Sequence, residues 1–359
     1  MKEIYLKQED CLSDEDTEKL KGTFLDKSHY NILCDSEDTK VYKPDGSVLF
    51  VYLKRVLHKD VCKVAFPSLR EAWAQSQNRG IAAGILPENP ELRHGNRVKK
   101  AAPGFGTATR ARPLKLDGTV SNTNYAQQVD SGIIGFMDRN ARFPYCRQTA
   151  FTMKEVEKWK AALPFIAAVD RVFAKYAPER YKAQRAIVEK TSPDFVIGDT
   201  VFTTVTVNFN WQTAVHKDAG DYKEGFGVLS ALCAGKFIGG YYTYPKFKVA
   251  ADLRTRDVIL ADVHEWHGNT PLIGNPGYER ISNVFYYRNN MYHCGRGEEE
   301  LERVKNRKIR GGEPVNGPIE KLKEERNGIQ KDLEKQCLTK YGFHENKDGV
   351  CTRCGVCLE

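Results

Sequence analysis

Two histidines and a carboxylate carry the strongest chemical signal in this chain. His216 and Asp218 form an H-x-D pair after the β-rich run Val201–Val207, and His267 follows in Asp262-Val263-His264-Glu265-Trp266-His267-Gly268. Two imidazoles and one carboxylate can hold Fe(II) on one face and leave the other positions open for chemistry. Further on, Tyr278-Glu279-Arg280-Ile281-Ser282-Asn283-Val284-Phe285-Tyr286-Tyr287 reads as a strand. Its alternation puts Arg280 and Ser282 on one face. A guanidinium fork beside a hydroxyl suits one end of a dicarboxylate, so 2-oxoglutarate is the expected co-substrate and oxygen chemistry the expected use.

Four further stretches extend the pattern: Asn78-Arg79-Gly80-Ile81-Ala82-Ala83-Gly84, residues 131–139 (SGIIGFMDR), residues 146–152 (CRQTAFT) and residues 213–221 (TAVHKDAGD). With these the chain resembles the TET/JBP branch of the 2-oxoglutarate/Fe(II) dioxygenases, over roughly residues 75 to 292. One departure is Arg256-Asp257, where many relatives have Gly-Asp before the strand leading to the distal histidine. The resemblance implies a double-stranded β-helix, Fe(II) held by His216, Asp218 and His267, and 2-oxoglutarate bound through Arg280 and Ser282. It also implies oxidation of a 5-methylpyrimidine in DNA. Such a base must be flipped out of the duplex to reach buried iron, and Asp221 is then placed beside it. As an acceptor for an exocyclic amine, Asp221 favours 5-methylcytosine, giving 5-hydroxymethylcytosine or a further oxidised base. Hydroxylation of thymine to 5-hydroxymethyluracil, and oxygenation of free nucleotides or another small substrate, stay open. Asn208 and Asn210 are candidate co-substrate contacts, and Arg110, Arg112 and Arg147 candidate DNA contacts. His264, three residues before His267, points to the opposite face of a regular strand and is excluded from the iron set.

These side chains need a scaffold. The expected fold is α+β with a predominantly β core, a jelly-roll or cupin-like double-stranded β-helix flanked by helices and followed by a small zinc-knuckle-like tail. Short β-branched and aromatic runs from Val201 to Tyr287 supply the strands. Val156, Trp159, Leu163, Ile166, Val169 and Phe173 recur at helical spacing, predicting an amphipathic helix kinked at Pro164. Thr152 and Glu155 read as a capping box at its start. The expected division is an N-terminal region of no assigned role (1–75), the oxygenase domain (76–292), a charged linker and helix (293–335), and a tail (336–359).

Composition places the chain among intracellular proteins acting on an acidic partner. Of its 359 residues, 55 are Lys or Arg and 47 Asp or Glu, a net charge of +8. Residues 92–116 hold seven of the basic side chains and no acid, interrupted by Gly and Pro, and such a loop can follow a phosphate backbone. No apolar run approaches the ~18 residues of a membrane span, and no signal-peptide core opens the chain. A soluble protein of the nucleus or of a host-cell cytoplasm is expected, with DNA as partner and no membrane. Ten cysteines in such a protein favour thiols and metal ligands over disulfides. Cys337, His344, Cys351, Cys354 and Cys357 are the candidate ligands of a structural zinc ion, and metal binding would supply much of the folding energy of so short a tail.

Overall fold

The computed structural model describes residues 1–74, 79–84, 130–140, 143–218 and 220–305, with two short strands at 346–347 and 350–351. The basic loop, with Arg110 and Arg112, lies outside the described residues. So do the candidate zinc ligands Cys337, His344, Cys354 and Cys357; Cys351 lies on a two-residue strand, and its side chain is not described.

Nine strands form the large sheet, in the order β1 (Lys2–Tyr5), β3 (Thr39–Tyr42), β4 (Val48–Leu53), β12 (Val258–Ala261), β8 (Gly227–Ala234), β15 (Glu279–Tyr286), β7 (Thr204–Phe209), β5 (Ser131–Met137) and β6 (Arg147–Gln148). A second sheet runs β13 (Gly268–Asn269), β10 (Tyr242–Tyr244), β11 (Val249–Ala251), β2 (Ile32–Cys34), and a ribbon pairs β14 (Leu272–Gly274) with β9 (Phe237–Gly239). The helices are α1 (Asp14–Lys19), α2 (Lys59–Leu69), α3 (Ala150–Lys154), α4 (Val156–Tyr176), α5 (Pro178–Val188) and α6 (Gly297–Lys305). No helix of the described residues is long and apolar enough to cross a membrane.

Strand alternation divides the core into two layers. Val205, Val207, Ile281 and Phe285 face a cluster shared with Phe165, Ile166, Val169 and Phe173 of α4. From the other face of the large sheet, Phe50, Leu229, Ala231 and Ile259 pack against Tyr242, Tyr244, Val249 and Ala251 of the small sheet. Helices therefore cover one face of the large sheet and the small sheet covers the other, as an apolar face requires. Residues 1–74 contribute to both sheets: β3 and β4 extend the large one, and β2 lies parallel to β11 in the small one.

Two local expectations change in three dimensions. Thr149, not Thr152, caps α3, its hydroxyl accepting from Thr152 N–H. The Thr152 hydroxyl instead accepts from Gly135 N–H at 2.7 Å, a tertiary contact that outcompetes the capping box; α4 starts after Glu155 with no side-chain cap. Cys146 and Cys294, expected as thiols, are joined in a disulfide with Cα atoms 5.8 Å apart. The buried carboxylate of Glu300 draws their segments together. It accepts N–H bonds from Cys146 at 2.7 Å and Gly295 at 2.8 Å and pairs with the Arg139 guanidinium.

Asp170 of α4 accepts from Val201 N–H at 2.7 Å and from the Tyr181 hydroxyl at 3.0 Å. Burial nevertheless pushes its carboxyl up from 3.8 to about 6. The unfolded chain therefore releases this proton first, so the stability linked to Asp170 is present below pH 3.8 and lost as pH rises through about 6. Relative to Asp170→Asn, the wild-type protein is expected to lose about 3 kcal/mol of unfolding free energy between pH 4 and pH 7. Urea unfolding of both proteins across that range checks this, and parallel pH profiles would contradict it.

Candidate active site

Backbone pairing brings the histidines together. His216 N–H donates to His267 O at 2.9 Å and His267 N–H returns a bond to His216 O at 3.0 Å, while Asp218 N–H donates to Val263 O at 3.0 Å. The imidazole centroids are 4.4 Å apart. His216 Nε2 lies 3.5 Å from one Asp218 oxygen and His267 Nε2 3.6 Å from the other. The three ligand atoms all fall within 4.8 Å of one another.

The other ring nitrogens fix the tautomers. Nδ1 of His216 meets Ala214 O at 2.7 Å, and Nδ1 of His267 meets Glu265 O at 2.9 Å. A carbonyl can only accept, so Nδ1 carries the proton and each Nε2 lone pair faces the cluster, the usual arrangement of metal-bound histidine. Burial, then the neighbouring His267, pushes His216 down to about 4, which keeps it unprotonated at neutral pH. Burial alone would raise Asp218, but the two histidines beside it, His267 first, hold its carboxyl down at about 2. Two Nε2 lone pairs with a carboxylate oxygen form the donor set Fe(II) requires. His264 is not one of the three, and its Nε2 is buried without a partner.

The cluster opens into a cavity of about 660 Å³. Its sheet wall is written in period two: Thr206 and Asn208 of β7 and Arg280, Ser282, Val284 and Tyr286 of β15 all line it. Register places Ser131, Asn208 and Ser282 side by side on three adjacent strands. They form a polar rail. Arg79 Nε donates to the Ser131 hydroxyl at 2.7 Å, that hydroxyl donates to Asn208 Oδ1 at 2.5 Å, and Asn208 Nδ2 reaches the Ser282 oxygen at 3.5 Å.

Arg280 is 4% exposed. Its Nη2 donates to Gly240 O at 3.1 Å, and its Nε is buried with no partner. Burial lowers its pKa, and none of the salt bridges among the described residues involves it. A buried guanidinium without an anion is costly, so the cavity is suited to a ligand that brings a carboxylate to this point. Gly240 keeps the room open: at φ +68° a Cβ would meet Leu272 Cδ2 at 2.5 Å and Arg280 Nε at 3.2 Å. Donors and cavity thus fit the iron and the dicarboxylate that the sequence implies.

Of the other residues singled out in the sequence, Asn208, Ser282 and Asp221 line the cavity. Asp221 is 8% exposed, and burial, then the nearby Asp218 charge, raises its carboxyl well above the ordinary range. Asn210 and Arg147 do not line the cavity. Asn210, at φ +45°, accepts from Arg280 N–H at 2.7 Å and donates to Tyr278 O at 3.0 Å, so it positions the Arg280 strand and does not meet a ligand. Arg147 sits on the edge strand β6, where it donates to Asp138 O at 3.0 Å and stacks 4.3 Å from the Phe143 ring centroid. His293 and Cys294 are also away from the cavity, Cys294 being held in the disulfide.

Arg79, Tyr242, Tyr286 and Arg288 line the cavity without having been assigned a role. Tyr286 was readable by continuing the alternation 280, 282, 284. Tyr242 stacks 5.2 Å from the His267 ring. Arg288 is bound to Asp138, its Nε at 2.9 Å and its Nη2 at 2.8 Å. Nothing local in the sequence signals that pair.

Comparison with known proteins agrees with this geometry. Residues 133–289 match the Tet_JBP family model, described as the oxygenase domain of the 2OGFeDO superfamily. A thymine dioxygenase JBP1 of Trypanosoma brucei brucei is 34% identical over 204 residues, covering 53% of this chain and 23% of the relative. A bifunctional helicase and thymine dioxygenase JBP2 of Leishmania major is 34% identical over 173 residues, covering 47% of this chain and 15% of the relative. The chain thus spans about a quarter or less of the length of these relatives. Among solved structures, NgTET1 in complex with 5mC DNA matches with a TM-score of 0.48 and 13% identity, over 82% of this chain and 100% of that one. Residues 133–289, which include all three clustered ligands, belong to the TET/JBP family of oxygenase domains.

Proposed function

We propose that this protein is a DNA thymine hydroxylase, dependent on Fe(II) and 2-oxoglutarate, that produces 5-hydroxymethyluracil. The carrying observation is that relatives at 34% identity are thymine dioxygenases and that the His216-Asp218-His267 cluster is complete. The preference for 5-methylcytosine inferred from Asp221 finds no support among those relatives and gives way to thymine. On this reading the two facing sheets are the halves of a double-stranded β-helix.

Bound Fe(II) and 2-oxoglutarate, with dioxygen as the oxidant, would supply the power to oxidise a methyl C–H bond, one oxygen atom ending in the new hydroxyl and the other in succinate while carbon dioxide leaves. The protein's part is placement. His216, Asp218 and His267 would hold the metal on one face, and Arg280 with Ser282 would hold the distal carboxylate of the co-substrate. The rail from Arg79 to Asn208 keeps that wall polar. Asp221 would meet the flipped base. Burial and the Asp218 charge favour its protonated form, and a protonated carboxyl can accept from thymine N3–H and donate to O4.

Incubation with Fe(II), 2-oxoglutarate and ascorbate on oligonucleotides carrying thymine or 5-methylcytosine, followed by nucleoside mass spectrometry, tests the function. Hydroxymethyluracil is the expected product. Hydroxymethylcytosine alone would return the assignment to cytosine, and succinate formation with neither base changed would reject DNA as substrate. Asp221→Leu should lower kcat/KM for DNA roughly 100-fold, the loss of two buried hydrogen bonds, and leave 2-oxoglutarate affinity unchanged. Asp221→Asn keeps a donor and an acceptor and should retain most activity.

A further inference from the structure

The rim of the cavity joins two distant parts of the chain. Gly22 N–H donates to Val215 O at 2.8 Å, and Val215 N–H donates to Thr23 O at 2.9 Å. Lys21 is thereby carried to the run that ends in His216, and Lys21, Lys217 and Trp266 all line the cavity. Lys217 lies between two of the clustered ligands in sequence and Trp266 directly precedes the third, so the reciprocal His216–His267 bonds fix both at a set place relative to the cluster. The Lys217 ammonium stands 4.9 Å from the Trp266 ring centroid, a cation–π contact that restrains a side chain otherwise free to sweep through solvent.

These two lysines differ from the other cations of the cavity in what they already hold. Arg288 is committed to Asp138, Arg79 to Ser131 and to Gly132 O at 2.9 Å, and Arg280 is buried. Lys217 is exposed. Asp14 feels its charge, but that carboxylate is bound by Lys246 at 2.6 Å. Lys21 pairs with Glu18 at 3.7 Å, and these side chains are 42% and 57% exposed; such a pair contributes little and yields readily to a stronger anion.

We infer that Lys21 and Lys217, the latter steadied by Trp266, form a subsite for the backbone phosphate beside the nucleotide whose base enters the cavity. The subsite rests on the reading of DNA as substrate. It gives the N-terminal segment a direct part in substrate binding through Lys21, and it sets the register of the strand against the ligand cluster by a contact that carries no base information.

Binding of a fluorescently labelled thymine-containing duplex, followed by anisotropy across a NaCl series, tests it. Each of Lys21→Met and Lys217→Met should reduce the slope of log Kd against log salt by about 0.9, and the double variant by about twice that. Lys175→Met, on the outer helix α4, should leave the slope unchanged. In a Trp266→Leu background, Lys217→Met should cost less affinity than in the wild-type protein. Far-UV circular dichroism and thermal melting confirm that the variants are folded. Wild-type slopes in both rim variants, with wild-type DNA binding intact, would overturn the subsite alone. A wild-type protein that neither binds nor oxidises the duplex would overturn the DNA reading, and the subsite with it.

Discussion

His216→Ala should reduce formation of oxidised base by at least about 1,000-fold, ~4 kcal/mol in the barrier, and should sharply weaken Fe(II) binding. His216 offers the cluster a lone pair on Nε2 because its Nδ1 is occupied by Ala214 O, and the described residues hold no second imidazole that could take over. His264, the nearest histidine in sequence to His267, lies outside the ligand set. Deleting one ligand would leave Asp218 and His267 alone to hold a metal ion, with the ring pair at 4.4 Å gone. Two measurements check the expectation: nucleoside mass spectrometry for product, and anaerobic Fe(II) titration for binding. Product at wild-type levels in His216→Ala would show that the cluster is not the reaction centre.

Arg280→Met should raise the dissociation constant for 2-oxoglutarate roughly 100-fold, ~3 kcal/mol, the range for removing one partner of a buried charged pair. The cause is visible in the site, where a 4%-exposed guanidinium has Gly240 O as its one hydrogen-bond acceptor among the described residues. Arg280→Lys should recover only part of the loss, because an ammonium cannot reproduce the two-pronged bond to a carboxylate. The phenotype should be confined to the co-substrate: KM for 2-oxoglutarate rises, kcat at saturation falls less, and Fe(II) affinity measured without 2-oxoglutarate is unchanged. Anaerobic calorimetry separates these quantities. An unchanged 2-oxoglutarate affinity in Arg280→Met would remove Arg280 from the co-substrate site.

The contrast between these residues and the ones missed shows what a sequence can carry. His216, Asp218, Arg280 and Ser282 were legible because their relations are local, two residues apart along extended chain, and His267 because the family resemblance supplied the third ligand. The α4 stripe was legible for the same reason: burial of Trp159, Ile166, Val169 and Phe173 follows helical period. What escaped was decided at long range. Arg79 enters the site through Ser131, a partner 52 positions away. Thr152 abandons a capping role for the amide of Gly135 on a neighbouring strand. The Cys146–Cys294 disulfide spans 148 positions and depends on Glu300, which nothing in its own helix marks as buried. Residues 1–75 carried no readable motif, since strands as short as β2, three residues long, become strands only against a partner elsewhere.

Strands that need distant partners constrain the order in which the chain can assemble. β2 lies beside β11, and β4 beside β12, so these strands have partners that emerge from the ribosome some two hundred residues later. β4, buried over most of its length, has only β3 to pair with until then. Contacts of such sequence separation are slow to form and leave unpaired edges exposed in the interval. The large sheet cannot close before translation has passed β15, the strand that joins β8 to β7, so its latest central strand is the step on which assembly of the whole waits.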